Sequence, residues 1–345
     1  PNYQRETARN IRRSPFYHRL REQGACFTET QGWERPGWYA PEGITPQYDY
    51  SFGRQNWFEY ALDEQRAARE RVAIVDYSML GKISVEGVGA EAFLQRVCTN
   101  NMAMACGRIA YTLLLNERGG IESDVTVARY ADDHFMVMSS IARTRRDYLW
   151  LAALIGPEEQ VKLRDETASL GVLGVMGPQS RALMTAVTDL DVTNEAFPFN
   201  RFYECHIGHA KVTAQRLSYS GELGWEVLVT PDFAEHVLDS LLSAGAPLGV
   251  KLLGSEALDA LRIEKGFLHW GHDMAYTESP HQVGLDFTCK IDKSPAFIGR
   301  EAYLRRKAEA TGPYLCAVRL KDSAPLLHHN EPVLRDEQVV GYVTS

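Results

Sequence analysis

Two periods of apolar residues alternate along this chain, and the places where one gives way to the other outline its elements. Ile83-Ser84-Val85 alternates as a half-buried strand does, and 90–97 follows with apolar residues at helical spacing. Leu113 to Val127 predicts two strands joined by Asn116-Glu117-Arg118-Gly119-Gly120, which reads as a hairpin loop. Helical spacing returns over 142–155 and 232–243. In the second stretch Phe233, Val237, Leu238, Leu241 and Leu242 form one stripe behind Asp232, the expected N-cap. Residues 211–219 and 225–229 read as strands flanking the turn Ser220-Gly221-Glu222. Short strands are expected near 315–320 and 339–344. The sequence stops directly after the last one, so the C-terminal part is expected to be incomplete, with an unpaired edge.

The first 68 residues have another texture. Residues 1–20 look helical and basic, with Arg5, Arg9, Arg12 and Arg13 but no apolar core of a secretory signal. Residues 31–56 hold Trp33, Pro36, Trp38, Tyr39, Pro41, Pro46 and Tyr50. Prolines at that density predict an extended connector pressed onto a surface by its rings. Neither internal repeats nor low-complexity tracts are apparent.

Composition narrows the function classes. A chain of 345 residues suffices for two or three domains, and 45% hydrophobic with 24% charged residues is ordinary for a soluble globular protein. No apolar run approaches the ~20 residues of a membrane span. A net charge of −8 argues against nucleic acid, whose phosphates demand a basic surface. The six cysteines lie far apart without a C-x-x-C pair, which predicts reduced thiols and neither a disulfide framework nor a zinc site.

Several motifs invite a chemical reading. Gly87-Val88-Gly89-Ala90-Glu91-Ala92 follows a strand and opens a helix, as a dinucleotide fingerprint does. The region that should bear its ribose-binding acid, 101–110, has no Asp or Glu, so a turn and helix start is the reading kept. His269-Trp270-Gly271-His272-Asp273 lacks the partners of a four-ligand shell, so packing or ligand-lining histidines are expected there. Asp124, between apolar strand residues, should point inward, where an unpaired carboxylate is costly. Glu226 repeats this in Trp225-Glu226-Val227. Each reads either as a structural acceptor or as a functional acid. A carboxylate in such a place can accept two parallel N–H bonds from an amidine-like edge, of which a pterin has one.

At these residues a resemblance appears. Gly119-Gly120-Ile121-Glu122-Ser123-Asp124, Tyr219-Ser220-Gly221-Glu222-Leu223-Gly224-Trp225-Glu226 and Leu261-Arg262-Ile263-Glu264-Lys265-Gly266 resemble three signatures of the glycine-cleavage T-protein (aminomethyltransferase) family. Asp76-Tyr77-Ser78-Met79-Leu80-Gly81-Lys82 and Gly174-Val175-Met176-Gly177-Pro178 resemble two more, and the spacing agrees over about 69–345. Gly32-Trp33-Glu34-Arg35-Pro36-Gly37-Trp38-Tyr39 instead resembles the connector that joins a flavin-dependent amine dehydrogenase to a T-protein-like region. Together with 263–270 and 284–290, it makes the chain similar to the sarcosine/dimethylglycine dehydrogenase family.

The resemblance implies an α+β, three-lobed T-protein-like fold with mixed and antiparallel sheets and a C-terminal β-barrel-like lobe. Residues 1–68 would be the connector after an absent flavin domain, 69–312 the folate-binding region, and 313–345 the incomplete start of the barrel lobe. It implies one-carbon transfer to tetrahydrofolate after oxidative N-demethylation, yielding 5,10-methylenetetrahydrofolate, with FAD on the missing domain. Asp124 matches the family's catalytic aspartate, Glu226 its pterin-binding glutamate, Tyr219 a folate-site tyrosine, and Arg262 a site arginine able to pair with a carboxylate. Ala128 stands where T-proteins often carry a folate-site Tyr, and Gln282 replaces a more usual Glu. The expected partners are folate, a one-carbon donor at the iminium or formaldehyde level, and the flavin dehydrogenase domain. The expected location is cytoplasmic in a bacterium and the mitochondrial matrix in a eukaryote. A folate-dependent O- or S-demethylase and a non-catalytic folate-binding scaffold are the rival readings.

Overall fold

The computed structural model describes residues 6–310 and 312–345. Helix α1 (Tyr17–Glu22) leads into a hairpin of β1 (Ala25–Thr30) and β2 (Trp33–Tyr39), and α2 (Phe58–Glu70) follows. The chain then places β3 (Ala73–Asp76) in one sheet and β4 (Gly81–Glu86) in another. Helix α3 (Ala90–Val97), strands β5 (Ile109–Leu115), β6 (Ile121–Ala131) and β7 (His134–Ser139), helix α4 (Thr144–Ala153) and β8 (Lys162–Asp165) come next. With β4 these strands form a five-stranded antiparallel sheet in the order β5-β6-β7-β4-β8.

Strand β9 (Gly171–Met176) returns to the sheet of β3, followed by α5 (Ser180–Val187), β10 (Phe202–Ile207), β11 (Ala210–Gln215), β12 (Gly224–Val229), α6 (Ala234–Gly245) and β13 (Lys251–Leu252). That sheet runs β10-β11-β12-β9-β3-β13 and is antiparallel except where β13 joins β3. Helix α7 (Ser255–Glu264), a mostly irregular segment, α8 (Arg300–Glu309) and the hairpin β14 (Pro332–Arg335) with β15 (Gln338–Tyr342) complete the chain.

Strand alternation explains the layers. On the five-stranded sheet Ile83, Val85, Leu114, Val125, Val127, Phe135 and Val137 pack with Phe93, Leu94 and Val97 of α3 and Leu151 of α4. The register Leu113↔Asp124 and Tyr111↔Thr126↔Met138↔Lys82 puts Tyr111, Asp124 and Lys82 on the opposite face. On the six-stranded sheet Ile74, Val175, Trp225, Val227 and Val229 meet Leu183 of α5 and Val237, Leu238 and Leu241 of α6. Each such fully buried aliphatic residue contributes on the order of 1.5–3 kcal/mol. The alternate positions, Val75, Gly174 and Glu226, face the layer built from α2 and α7.

One unit occurs twice. In both β4–α3 and β9–α5 a strand runs through a left-handed glycine into a helix, Gly87 at φ 120° and Gly177 at φ 126°. A Cβ at Gly87 would lie 2.1 Å from the Gln160 carbonyl oxygen, and one at Gly177 2.5 Å from that of Arg71. This is a recurrence of a local strand–turn–helix unit in a sequence without internal repeats. It also accounts for Gly87-Val88-Gly89 as a turn and helix start. The following strand, β5, is not a neighbour of β4, so no parallel βαβ unit is made there.

The fold expected from the sequence is present as a mixed α+β structure of several sheets. No closed barrel occurs among the described residues; the region 313–345 holds the two-stranded β14–β15 hairpin. Five local expectations are corrected. Of the helix expected over 1–20, residues 1–5 lie outside the described residues and only the part from Tyr17 is helical. Residues 33–39 form a strand in spite of Pro36, which lies beside the irregularity at Cys26 and Phe27, where the ladder can lose a donor. Residues 216–219 leave the sheet after Gln215, so Tyr219 stands in a loop. Asp232 lies within a short 3-10 turn and does not cap α6, which begins after Phe233. No strand forms over 315–320.

Candidate active site

The β5–β6 hairpin positions Asp124. Its turn, 116–120, is tied by the Asn116 side chain, which accepts from the Arg118 and Gly120 amides at 3.0 Å each. Asp124 is half-buried, and its carboxylate accepts a hydrogen bond from Tyr111 Oη at 3.1 Å. Burial raises its pKa to about 6, against the lowering by Tyr111. Behind it, Ser123 and Ser139 donate to Asp147 at 2.7 and 2.5 Å. Arg143 lies 3.6 Å over the Trp270 ring, while Trp270 Nε1 donates to the Ile121 carbonyl at 2.9 Å. These contacts hold the start of β6, and with it Asp124, in one register.

Glu226 occupies the middle of β12, opposite Gly174 of β9 and Gln215 of β11. Gly174 leaves space on that face, since a Cβ there would lie 2.7 Å from both Tyr77 and Val75. Glu226 is 8% exposed and makes no hydrogen bond or ion pair among the described residues. Burial raises its pKa to about 7, and Lys82 is the charged group near enough to oppose that. Lys82 is fully buried and donates from Nζ to the carbonyls of Ser78 and Leu80 at 2.8 and 2.9 Å. Burial depresses its pKa to about 8. It thereby clips the loop that carries the chain from one sheet to the other, on which Tyr77 sits. Tyr77 Oη is buried without a partner, and Glu226 and Tyr219 both bear on it electrostatically.

Tyr219 donates from Oη to the Leu268 carbonyl at 3.0 Å and stacks on Phe267 at 6.2 Å. Burial raises its pKa, with Arg262 opposing and Asp124 adding to the rise. Tyr111 feels both Asp124 and Tyr219. Electrostatic range links Asp124 to Tyr111 and Tyr219, and Glu226 to Tyr77 and Lys82, with Tyr77 and Tyr219 bridging the two groups. Arg262 is 2% exposed, and the protein itself engages its guanidinium. It donates to Asp259 at 2.7 Å, Asp273 at 2.5 Å, the Phe267 carbonyl at 3.1 Å and Ser345 Oγ at 2.8 Å.

Two flagged motifs take structural places. His269 and His272 stack at 4.6 Å, and burial lowers the His269 pKa to about 4. No cluster able to hold a metal ion occurs among the described residues. Gln282 closes a capping box with Ser279, a backbone role its amide serves without charge. Ala128 pairs with Ile109 on the Asp124 face. The rings close to the candidate acids are those of Tyr111, stacked on Phe287 at 6.4 Å, and Tyr219.

Sequence reasoning missed Tyr111, Tyr77 and Lys82. Counting the hairpin register outward from its loop could have found Tyr111 beside Asp124. Nothing in the local pattern indicates that Tyr77 and Lys82 approach Glu226, because that proximity depends on how the two sheets are connected.

Residues 16–293 match the family model described as the GCVT N-terminal domain. The chain is 40% identical over 345 residues to the 4-methylaminobutanoate oxidase (formaldehyde-forming) of Paenarthrobacter nicotinovorans, covering 100% of this chain and 42% of that protein. It is 33% identical over 373 residues to the mitochondrial sarcosine dehydrogenase of Homo sapiens, covering 97% of this chain and 40% of that protein. It therefore spans about two fifths of the length of these curated relatives. Glycine cleavage system aminomethyltransferase T from Bartonella henselae shares the fold, with a TM-score of 0.72 at 23% identity over 87% of this chain and 76% of that one. Among the described residues no helix is long and apolar enough to cross a membrane.

Proposed function

The chain belongs to the GCVT N-terminal domain family, and on that footing we propose that it transfers a one-carbon unit to tetrahydrofolate. In this reading the carbon arrives at the iminium or formaldehyde level from a flavin-dependent oxidation of an N-methyl amine such as sarcosine or dimethylglycine. A flavin dehydrogenase region, in the same parent chain, carries out that oxidation. The product is 5,10-methylenetetrahydrofolate. The names of the two curated relatives, an N-methyl amine oxidase and a sarcosine dehydrogenase, support the donor class.

The observation that carries the reading is Glu226, a buried carboxylate with two oxygens and no donor among the described residues. The residue is 8% exposed and its oxygens are not among the fully enclosed atoms, so they stay reachable, and a ligand that brings donors explains an acceptor left open in this place. The pterin edge, N3–H beside a 2-amino group, brings two in parallel. Tetrahydrofolate, when bound, supplies the nucleophilic amine that takes the carbon. Asp124 faces the positive carbon and stabilises its charge in a dry setting, where a fixed carboxylate acts strongly. Tyr111 orients that carboxylate through its hydroxyl, and Tyr219 lines the site. Arg262 ties α7 to the 267–273 segment and so keeps Tyr219 and Phe267 in place.

Titrating the purified chain with tetrahydrofolate, by calorimetry or intrinsic fluorescence, tests the reading directly. Saturable one-to-one binding is expected, followed by methylenetetrahydrofolate formation when an N-methyl amine oxidase supplies the carbon. Absence of tetrahydrofolate binding would refute it.

A further inference from the structure

We propose that Arg35, carried by the N-terminal hairpin, is a carboxylate-binding residue at the edge of this site and receives the glutamate end of the folate. The proposal rests on the folate reading above and adds a residue from outside the sheets that hold Asp124 and Glu226.

Several interior arginines of this chain have partners, although Arg71, half-buried with an enclosed Nε, has none among the described residues either. Arg9 pairs with Glu34, Arg129 with Glu91, Arg143 donates to the Glu122 carbonyl, and Arg262 is engaged as described. Arg35 differs. Among the described residues its half-buried guanidinium makes no hydrogen bond, ion pair or ring contact, and its Nε is buried without a partner. Of its five donors the Nε–H is enclosed, where lacking a partner is costly, while the terminal nitrogens stay reachable from outside.

The nearest acids do not use those donors. Glu256 and Asp259, about one turn apart on α7, bear on Arg35 electrostatically. Glu256 already accepts from Tyr48 Oη at 2.9 Å, and Asp259 from Arg262 Nε at 2.7 Å. They balance the charge of Arg35 and leave its fork open. The strand that carries the fork is held in place. Glu64 accepts from the Tyr39 amide of β2 and from the Gly254 amide at the start of α7, both at 2.8 Å, which clamps the hairpin to the helix. A Cβ at Gly254 would lie 2.1 Å from the Gly37 carbonyl oxygen, so strand and helix start are in direct contact.

Arg35 bears on Tyr77, which also feels Glu226, and on His269, next to the residue that Tyr219 bonds. The hairpin that carries Arg35 is clamped to α7, whose layer faces Glu226, and the cation is within electrostatic range of groups around the candidate acids. A planar fork with idle donors suits a carboxylate, which takes two parallel N–H bonds. Folate carries carboxylates at the end remote from its pterin, and Arg262 has no idle fork to offer them.

Two ligands separate the ends of the molecule: tetrahydrofolate, and 6-methyltetrahydropterin, which lacks the benzoylglutamate. Arg35→Gln should weaken tetrahydrofolate binding by roughly ten- to a hundredfold and leave tetrahydropterin within about twofold. Arg35→Lys should recover part of the loss, and added salt should narrow the wild-type preference for the folate. Equal loss of both ligands in both variants, or no loss of either, overturns the proposal. A wild type that binds both ligands equally removes the carboxylate site and leaves the folate reading standing. A wild type that binds neither ends both.

Discussion

Tyr111 Oη donates to Asp124 across the β5–β6 ladder at 3.1 Å, although the residue directly opposite Asp124 is Leu113. The contact is diagonal, two positions along the partner strand, a reach open to a long aromatic side chain. It gives the carboxylate a fixed direction on a face it shares with Lys82 and Thr126.

Removing that hydroxyl should matter less than removing the charge it steers. Asp124→Asn keeps volume and most hydrogen bonding, so tetrahydrofolate affinity and folding should change by no more than about 1 kcal/mol. Transfer should fall by ~100-fold or more, as for groups aimed at developing charge. Coupled to an amine oxidase, the variant should release free formaldehyde in place of methylenetetrahydrofolate. Product analysis decides: wild-type yield of the folate product would remove Asp124 from the chemistry.

Tyr111→Phe should slow transfer by a smaller factor, on the order of tenfold, with its effect in kcat more than in KM for tetrahydrofolate, because one neutral hydrogen bond is worth about 1 kcal/mol. A loss confined to KM would mean that Tyr111 binds the ligand and does not orient the acid.

Glu226→Ala should weaken tetrahydrofolate by roughly 1.5–3 kcal/mol, the range for hydrogen bonds to a charged group. The ligand donors need the ionised acid, so wild-type affinity should also decline as pH drops below about 7, the pKa to which burial raises Glu226. Calorimetry at pH 6 and pH 8 reads the difference, and an affinity flat across this range would count against the acid's role.

The same shift has a stability consequence in the ligand-free chain. Glu226 ionises near 4.5 when unfolded and at about 7 when folded. The folded state thus keeps the proton where the unfolded chain has released it. The resulting stabilisation is complete below pH 4.5 and is lost as pH rises through about 7, on the order of 1–3 kcal/mol. Urea unfolding of Glu226→Gln should lack this part of the decline; identical pH profiles for the two proteins would show that the raised ionisation is absent.

Arg262 and Asp273 form a buried pair at 2.5 Å, with side chains 2% and 5% exposed. Asp273→Ala leaves the guanidinium without its best partner and should cost about 3–5 kcal/mol of stability. A melting temperature within a degree or two of wild type would show that Asp259 and the Phe267 carbonyl suffice.

The sequence by itself determined the local architecture and the family. Period-two alternation around Asn116–Gly120 specified the β5–β6 hairpin, and helical spacing specified α3, α4 and α6, because each pattern has one way to bury its apolar face. Asp124 and Glu226 stood out for a related reason: a carboxylate inside an apolar strand run conflicts with its surroundings whatever the fold. Where local and tertiary preferences compete, the pattern misleads. Pro36 reads as a strand breaker yet lies in β2, where an irregular two-stranded ladder tolerates a missing donor, and Tyr219 reads as strand yet stands in a loop. What only the tertiary structure decided is which charges have partners. Arg262 and Arg35 look alike as sequence; one is enclosed by Asp259 and Asp273, and the other is left open beside acids already taken. Likewise Lys82 comes within electrostatic range of Glu226 only because the loop after β3 carries the chain from one sheet to the other. Electrostatic partnership depends on distances of a few ångströms, and where the segments are far apart in the chain, as Arg35 and Glu256 are, no local period records it.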